Sequence, residues 1–399
     1  PGGHGHPTRD DGHRGAPAPR RHPRFLTLGL FTVRVLHVAG QLRSSPGILR
    51  QMEWEQEAAD ALGLNWQSLL IRPLGVSDSA SPTLHELDLG RSGHDLATWV
   101  TFRRRYYALI ADLRPKPDVI LLRHNVHDPF QARFIKRSRN VLTVHHAIED
   151  AEFRALGGRI AGIKVSLERR FGSRSIANAS GLIGLTDEIL KHEQSRHRAT
   201  GRHRLHTVYP NGRLMSADVP PDERDEIPTL AFVASEFSPW QGLEDLLEAL
   251  ERHESPLRVD VIGGLSDEQR DRCARVPGVV AHGMLGGDDL DQVMRRAWVG
   301  LAPLRADSQG LTQTCSLKVR DYLAAGVPVV SGQADVLPAD FPFFRLVGTD
   351  IEAILAAAHE WRSVDRATVR EAARPHIDKV ELVRRLHGEL VAAFASADD

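Results

Sequence analysis

Residues Ser308 to Ser331 hold the densest set of chemically capable side chains in the sequence: Ser-Gln-Gly-Leu-Thr-Gln-Thr-Cys-Ser-Leu-Lys-Val-Arg-Asp-Tyr-Leu-Ala-Ala-Gly-Val-Pro-Val-Val-Ser. Read as a helix, the stretch puts Leu311, Cys315, Val319, Tyr322 and Leu323 on one apolar face. Thr314, Lys318 and Asp321 fall on another, at i, i+4 and i+7. The helix is expected to follow the Ser-Gln-Gly loop and to end at Gly326. Unpaired N–H groups at such a start form an anion site. Lys318 adds a cation there, and Asp321 a carboxylate for hydroxyl groups. A phosphate with ribose or sugar hydroxyls satisfies that set. The same spacing also describes a Lys318–Asp321 surface pair of small energetic worth. Lysine is rare in this chain: Lys116, Lys136, Lys164, Lys191, Lys318 and Lys379 are the six among 51 basic residues.

The elements that position these residues follow from pattern. Apolar runs at 33–39, 66–71, 118–122, 140–145 and 181–185 read as buried parallel strands. Helical patterns lie between them, at about 47–63, 97–113, 127–138 and 152–178. A Pro-Asn-Gly turn at 210–212 and a polar stretch at 216–228 follow. Strand-like runs then recur at 229–234, 257–262, 279–281, 298–303 and 327–330. Helical patterns recur at 239–251, 266–275, 287–297, 311–325, 350–362 and 366–395. This is an α/β chain with two Rossmann-like doubly wound domains, at 32–208 and 209–370. Residues 371–399 are expected to form a C-terminal helix that packs back on the first domain, and 1–31 a disordered tail. Ligands of such sheets sit beyond the C-terminal strand ends, so the expected site is the cleft between the domains.

Composition narrows the function. The 399 residues carry 51 Lys+Arg against 52 Asp+Glu, a net charge of −1. That excludes nucleic acid as the main partner. Two distant cysteines, Cys273 and Cys315, form neither a disulfide scaffold nor a four-ligand zinc site, and they fit a cytoplasmic location. No apolar run is long enough to span a membrane, so membrane contact is at most peripheral. Metalloprotease, serine-hydrolase and Walker A motifs are absent, and strand one does not lead into G-x-G-x-x-G. Asp288-Asp289 is a helix-start pair rather than a metal motif; no metal site is expected.

Several segments in order resemble the GT-B-fold glycosyltransferases, especially family 4 (group 1). Ser44-Ser45-Pro46-Gly47 follows strand one, where the family has a small-residue loop facing the donor phosphates. Val144-His145-His146 resembles the strand end with the family's cleft histidine. Ala179 to Thr186, Tyr209-Pro210-Asn211-Gly212, Val261-Ile262-Gly263-Gly264 and Ala281-His282-Gly283-Met284 resemble further family segments. The stretch from Ser308 to Ser331 resembles the donor-site segment with its acidic-x7-acidic motif. The resemblance covers about residues 33–395.

It implies transfer of a sugar from a nucleotide-sugar donor, UDP- or GDP-linked, with retention, no metal and no bound cofactor. The acceptor is a sugar, a lipid-linked sugar or a small molecule. It assigns His145, Gln313 and Lys318 to catalysis. Donor binding falls to Gly47, Ser235, Gln241, Gly263, Met284, Gly310, Leu311, Thr312, Lys318 and Asp321. Arg123 and His146 fall to the acceptor. A nucleotide-sugar epimerase, or a non-catalytic relative that binds nucleotide or a partner enzyme, shares the same resemblance.

The sequence departs from the family at three places. Ser235 and Gln241 stand where the family keeps an Arg and a Lys near the helix at 240. Gln313 replaces the first acid, while Asp321 matches the second. Lys318, Arg305 or Arg123 is the candidate to replace a missing cation beside a diphosphate, where one charge pair at about 4 Å is worth roughly 4 kcal/mol. Ser238-Pro239-Trp240-Gln241 also reads as an ordinary capping box.

Overall fold

The first-domain strands owe their parallel pairing to sequences apolar on both faces, since helices cover each side of the sheet. The computed structural model describes Gly2 and residues 33–76, 80–90, 95–148, 158–196, 202–305 and 312–395. The expected tail at 1–31, and Gly310 and Leu311, lie outside the described residues, Gly2 apart. Thr32–Asp399 form one unit.

The first domain comprises β1 (Val35–Gly40), α1 (Pro46–Ala61), β2 (Trp66–Pro73), β3 (Leu84–Leu87), α2 (Asp95–Asp112), β4 (Val119–Arg123), α3 (Pro129–Arg137), β5 (Val141–His145), α4 (Gly158–Asn178), β6 (Gly181–Gly184), α5 (Asp187–Ser195) and β7 (Leu205–Val208). Its seven strands are all parallel, in the order β3-β2-β1-β4-β5-β6-β7.

The second domain comprises β8 (Thr229–Glu236), α6 (Leu243–Leu250), β9 (Arg258–Gly264), α7 (Asp267–Arg275), β10 (Val279–Gly283), α8 (Gly287–Arg296), β11 (Val299–Leu301), β12 (Gln313–Thr314), α9 (Leu317–Ala324), β13 (Val329–Ser331), β14 (Ala334–Asp335), β15 (Phe344–Leu346), α10 (Ile351–Trp361) and α11 (Arg366–Ile377). Its main sheet runs β10-β9-β8-β11-β13-β15, and β12 pairs with β14 alone. Both sheets change direction beside their first strand, at β1/β4 and at β8/β11. Ligands of doubly wound sheets bind at such points.

Helix starts follow their caps. Asp128 accepts from the N–H groups of Phe130 and Gln131 ahead of α3, with Pro129 at the first helical position. Thr186 caps α5 through the Ile189 N–H. Ser266 and Gln269 form a capping box at α7. Ser238 makes no such box: Pro239–Gln241 is a single 3₁₀ turn, and α6 starts only after Gly242, which is left-handed at φ 78°.

A last helix, α12 (Lys379–Phe394), returns to the first domain. Its Leu382, Val383, Leu386, Leu390 and Phe394 pack with Val35, Val119, Leu121, Leu142 and Val144. The intervening residues Leu36, Val38, Ile120 and Leu122 face the opposite layer, against Phe102 and Tyr106 of α2. Two chain segments therefore cross between the domains, and they run side by side. Arg213 N–H donates to Ile377 O at 2.8 Å, and Lys379 N–H donates to Arg213 O at 2.9 Å. The turn before them is held from both sides. Gln51 of α1 donates to Gly212 O at 2.7 Å and accepts from Gly212 N–H at 3.2 Å. Asn211 donates its backbone N–H to Cys315 Sγ at 3.2 Å and its side-chain amide to Cys315 O at 3.0 Å.

Candidate functional site

Strand alternation decides which of the paired histidines reaches solvent. Val144 and His146, two apart, line a cavity of about 540 Å³ at the switch point of the first sheet. Gly40–Arg43 at the end of β1 and Arg123–Val126 at the end of β4 complete its rim, with Arg103 from α2. Arg123 and His146 are thus brought together. Arg103 is fixed by a 2.8 Å hydrogen bond to Asn125 Oδ1 and lies 3.3 Å from the Asp128 carboxylate. Burial, with Arg123 and His37 nearby, pushes His146 well below the usual histidine value, so its ring is neutral. Its Nε2 is buried and makes no hydrogen bond within the described structure.

His145 points the other way, with Thr143. It is 1% exposed, lies 3.0 Å from Thr143 Oγ1 through Nε2, and stacks on His124 at 4.5 Å. Burial holds its pKa down at about 3. Behind it, Glu168 accepts from His124 Nε2 at 3.0 Å and from Arg196 at 2.6 Å. Burial alone would raise the Glu168 carboxyl, but these partners draw it far below the usual carboxylate range. The expected catalytic role of His145 is therefore corrected: it is a core residue under the cavity floor, out of reach of a ligand in the cleft.

A second cavity, of about 750 Å³, lies where α1, the 213–221 segment, α8 and α9 meet. Gly47, Lys318 and Asp321 all line it. A Cβ on Gly47 would stand 3.7 Å from Leu317 Cδ1, so the loop before α1 approaches the start of α9. Ser316 makes no side-chain cap at that start. Lys318 Nζ is 3.6 Å from Asp321, and Arg213 pairs with the same carboxylate. Arg213 also stands over the Trp54 ring, at 5.6 Å.

The helix at this site is shorter than its apolar spacing predicts. It begins at Leu317 rather than near Leu311, because Gln313 and Thr314 extend into β12 and pair with Ala334 and Asp335. Lys318 consequently sits in the first turn. Cys315 is buried with Leu185 and Ile189 of the first domain. Gln313 donates its side-chain amide toward Asp335 O at 3.4 Å. Thr312 and Gln313 donate their N–H groups to Glu188 Oε2 at 2.9 and 3.0 Å, and the Thr312 hydroxyl adds a bond of 3.0 Å.

Ser235, Gly263 and Met284 lie at the C-terminal ends of the adjacent strands β8, β9 and β10. Gly263 is required by contact: at φ 143°, a Cβ there would meet Ala234 O at 1.9 Å. Ser235 is exposed, and Met284 is 69% exposed. Gln241 uses its backbone oxygen to accept from Leu304 N–H at 3.0 Å. None of these four lines either cavity. Arg305 is paired with Asp245 at 2.6 Å. Among the described residues, no group of three or more His, Cys, Asp or Glu is placed to hold a metal.

Residues 227–360 match the family of glycosyl transferases group 1. The matched stretch lies within the second domain, from β8 to α10. The chain is accordingly a glycosyltransferase with two Rossmann-like domains facing a cleft. Solved structures show the same fold along nearly the whole length. WaaG, "a glycosyltransferase involved in lipopolysaccharide biosynthesis", is 14% identical with a TM-score of 0.61, covering 91% of this chain and 100% of that one. HepE of Anabaena, solved with UDP and glucose, is 14% identical with a TM-score of 0.61, over 90% and 100%. A putative UDP-N-acetylglucosamine 2-epimerase of Listeria monocytogenes is 13% identical with a TM-score of 0.55, over 92% and 98%. No curated protein matches the sequence. Among the described residues, no helix of the glycosyltransferase is long and apolar enough to cross a membrane.

Three residues of this glycosyltransferase escaped the sequence reading. Arg213 follows the Pro-Asn-Gly turn directly, and that position was its available signal. Arg103 and Glu188 carried none, because each reaches its place only through the packing of α2 and α5.

Proposed function

We propose that the chain moves a sugar from a nucleotide-sugar donor to an acceptor seated on the first domain. The observation that carries this is the meeting of Gly47, Lys318 and Asp321 in one cavity between the domains. The uncapped first turn of α9 and Lys318 supply positive charge for a diphosphate. Asp321, held by Arg213, supplies a fixed carboxylate for ribose hydroxyls. HepE is described in complex with UDP and glucose, which supports a nucleotide-sugar co-substrate of that kind.

In the transfer, the acceptor hydroxyl oxygen bonds to the anomeric carbon and gives up its proton. The bond from that carbon to the diphosphate oxygen breaks, and the nucleoside diphosphate leaves with the electron pair. The chain's own part is positioning and stabilisation of the departing charge. Lys318 and the α9 N–H groups meet that charge. His146, neutral and facing the other cavity, is placed to hydrogen-bond the acceptor. Arg123 shares that acceptor side. The resemblance also assigns Ser235, Gln241, Gly263 and Met284 to the donor, although none of them lines the cavity that holds Lys318, and also Thr312 and Gln313, on the segment leading into α9. Retention and independence of metal follow the family resemblance.

A screen of purified protein with UDP- and GDP-sugars tests this. Transfer, or slow donor hydrolysis, is expected with at least one. An epimerised sugar without acceptor would favour the epimerase reading.

A further inference from the structure

Asn211, in the turn between the domains, gives its N–H, its side-chain amide and its carbonyl to one segment of the second domain. The first two donate to Cys315 Sγ and Cys315 O. The carbonyl accepts from Arg320 Nε at 3.2 Å. Arg320 belongs to α9 and is wholly buried. Its Nη1 donates to Ser316 O at 3.2 Å, at the residue from which α9 starts, and pairs with the Asp335 carboxylate. Asp335 ends β14, whose partner β12 leads Gln313 and Thr314 toward α9. One guanidinium therefore ties the interdomain turn to the start of α9 and to the strand pair before it. Its planar fork, with donors in fixed directions, makes three such acceptors reachable at once.

On its other side the turn is held by α1, where Gln51 binds both backbone groups of Gly212. One turn earlier on α1 stands Gly47, which lines the donor cavity with Lys318 and Asp321. The turn is thus the spacer between two walls of that cavity. Arg320, Asp335 and Asn211 line neither cavity, so they act on a ligand only through what they hold. The ion pair is also a costly way to fill buried space, since an apolar pair of similar volume is often as stable. We propose that Arg320 is a positioning residue: through Asn211 it sets the first turn of α9 against α1. The grip of Lys318 and the α9 N–H groups on the donor diphosphate then depends on it, a role that rests on the glycosyltransferase reading of the cavity.

The test titrates UDP and GDP into the full chain and its variants by calorimetry. Arg320→Lys keeps a charge beside Asp335 but loses the fork, and Asn211→Ala removes the tie to Cys315 O. Each should weaken the nucleotide about tenfold. Together they should also cost about tenfold, because both break one link; independent losses would multiply to about a hundredfold. Arg320→Met with Asp335→Leu replaces the ion pair by an apolar pair. Its urea midpoint should stay near that of the parent while nucleotide binding is about tenfold weaker, which separates positioning from stability. Parent-like affinity in the apolar pair or in both single variants, or losses that multiply, would overturn the proposal. If Arg320→Lys fails to fold, the apolar pair and Asn211→Ala keep the test valid. A parent chain that binds neither nucleotide counts against the transferase reading instead. The link is then read by amide exchange: Arg320→Lys should quicken residues 211–213 and 314–318 together, and a change confined to one of these segments would overturn it.

Discussion

Glu188 Oε2 accepts the backbone N–H of Gln313 at 3.0 Å, a contact that joins the first domain to the segment leading into α9. The same oxygen takes the Thr312 N–H and hydroxyl. One carboxylate from α5 therefore satisfies three donors of the second domain. It does so from the first turn of its helix, where negative charge is favoured.

Glu188→Gln should loosen this junction. A hydrogen bond to a charged acceptor contributes about 1.5–3 kcal/mol, and the amide keeps part of it. Faster amide exchange is expected over residues 312–314, measured by mass spectrometry, with the core strand β11 unaffected.

Lys318→Ala should weaken UDP or GDP binding about tenfold, which is about 1.4 kcal/mol. Asp321→Asn should weaken it as well, and it also leaves Arg213 without its carboxylate. Calorimetry on folded variants checks both. Unchanged affinity in Lys318→Ala would remove that lysine from the donor site.

The two histidines should separate stability from turnover. His145→Ala opens a hole beside His124 in a fully buried layer and should cost about 2–4 kcal/mol. His146→Ala should leave the unfolding midpoint nearly unchanged and lower the rate of transfer. Urea unfolding and initial rates measure the pair.

Acid should destabilise the protein in two steps. His145 has a pKa of about 3 in the fold against 6.5 unfolded, chiefly through burial. Its contribution is present above pH 6.5 and is lost as pH falls toward 3. Glu55 would be raised by burial, but His37, Lys379 and Ser68 draw it from 4.5 to about 2. Its contribution, on the order of 3 kcal/mol, is present above pH 4.5 and is lost toward pH 2. Unfolding midpoints measured from pH 8 to 3 should fall throughout. Glu55→Gln should flatten the part below 4.5.

Legibility varied with the physics of each element. Strands β1, β2, β4, β5 and β6 are buried on both faces, so their apolar runs stand out. Strands β3 and β12 are short and partly exposed, and nothing in their composition marks them. The apolar spacing from Leu311 to Leu323 fits a helix, yet pairing with β14 turns its first part into a strand. At Gly242 a left-handed glycine overrode an apparently good capping sequence.

Sequence alone determined two α/β halves, the Pro-Asn-Gly turn between them and the neighbouring placement of Lys318 and Asp321 on one helix. Those features are local: periodicity, turn chemistry and i, i+3 spacing are written in neighbouring residues. It marked His145 and His146 together as cleft candidates at a strand end. Only the tertiary structure decided which of them meets the cavity, since that depends on which side α4 and α5 cover. Likewise the placing of Arg213 against Asp321, and of Glu188 against Gln313, joins residues over a hundred positions apart. Such partners are chosen by how the two domains pack, and no spacing along the chain encodes that.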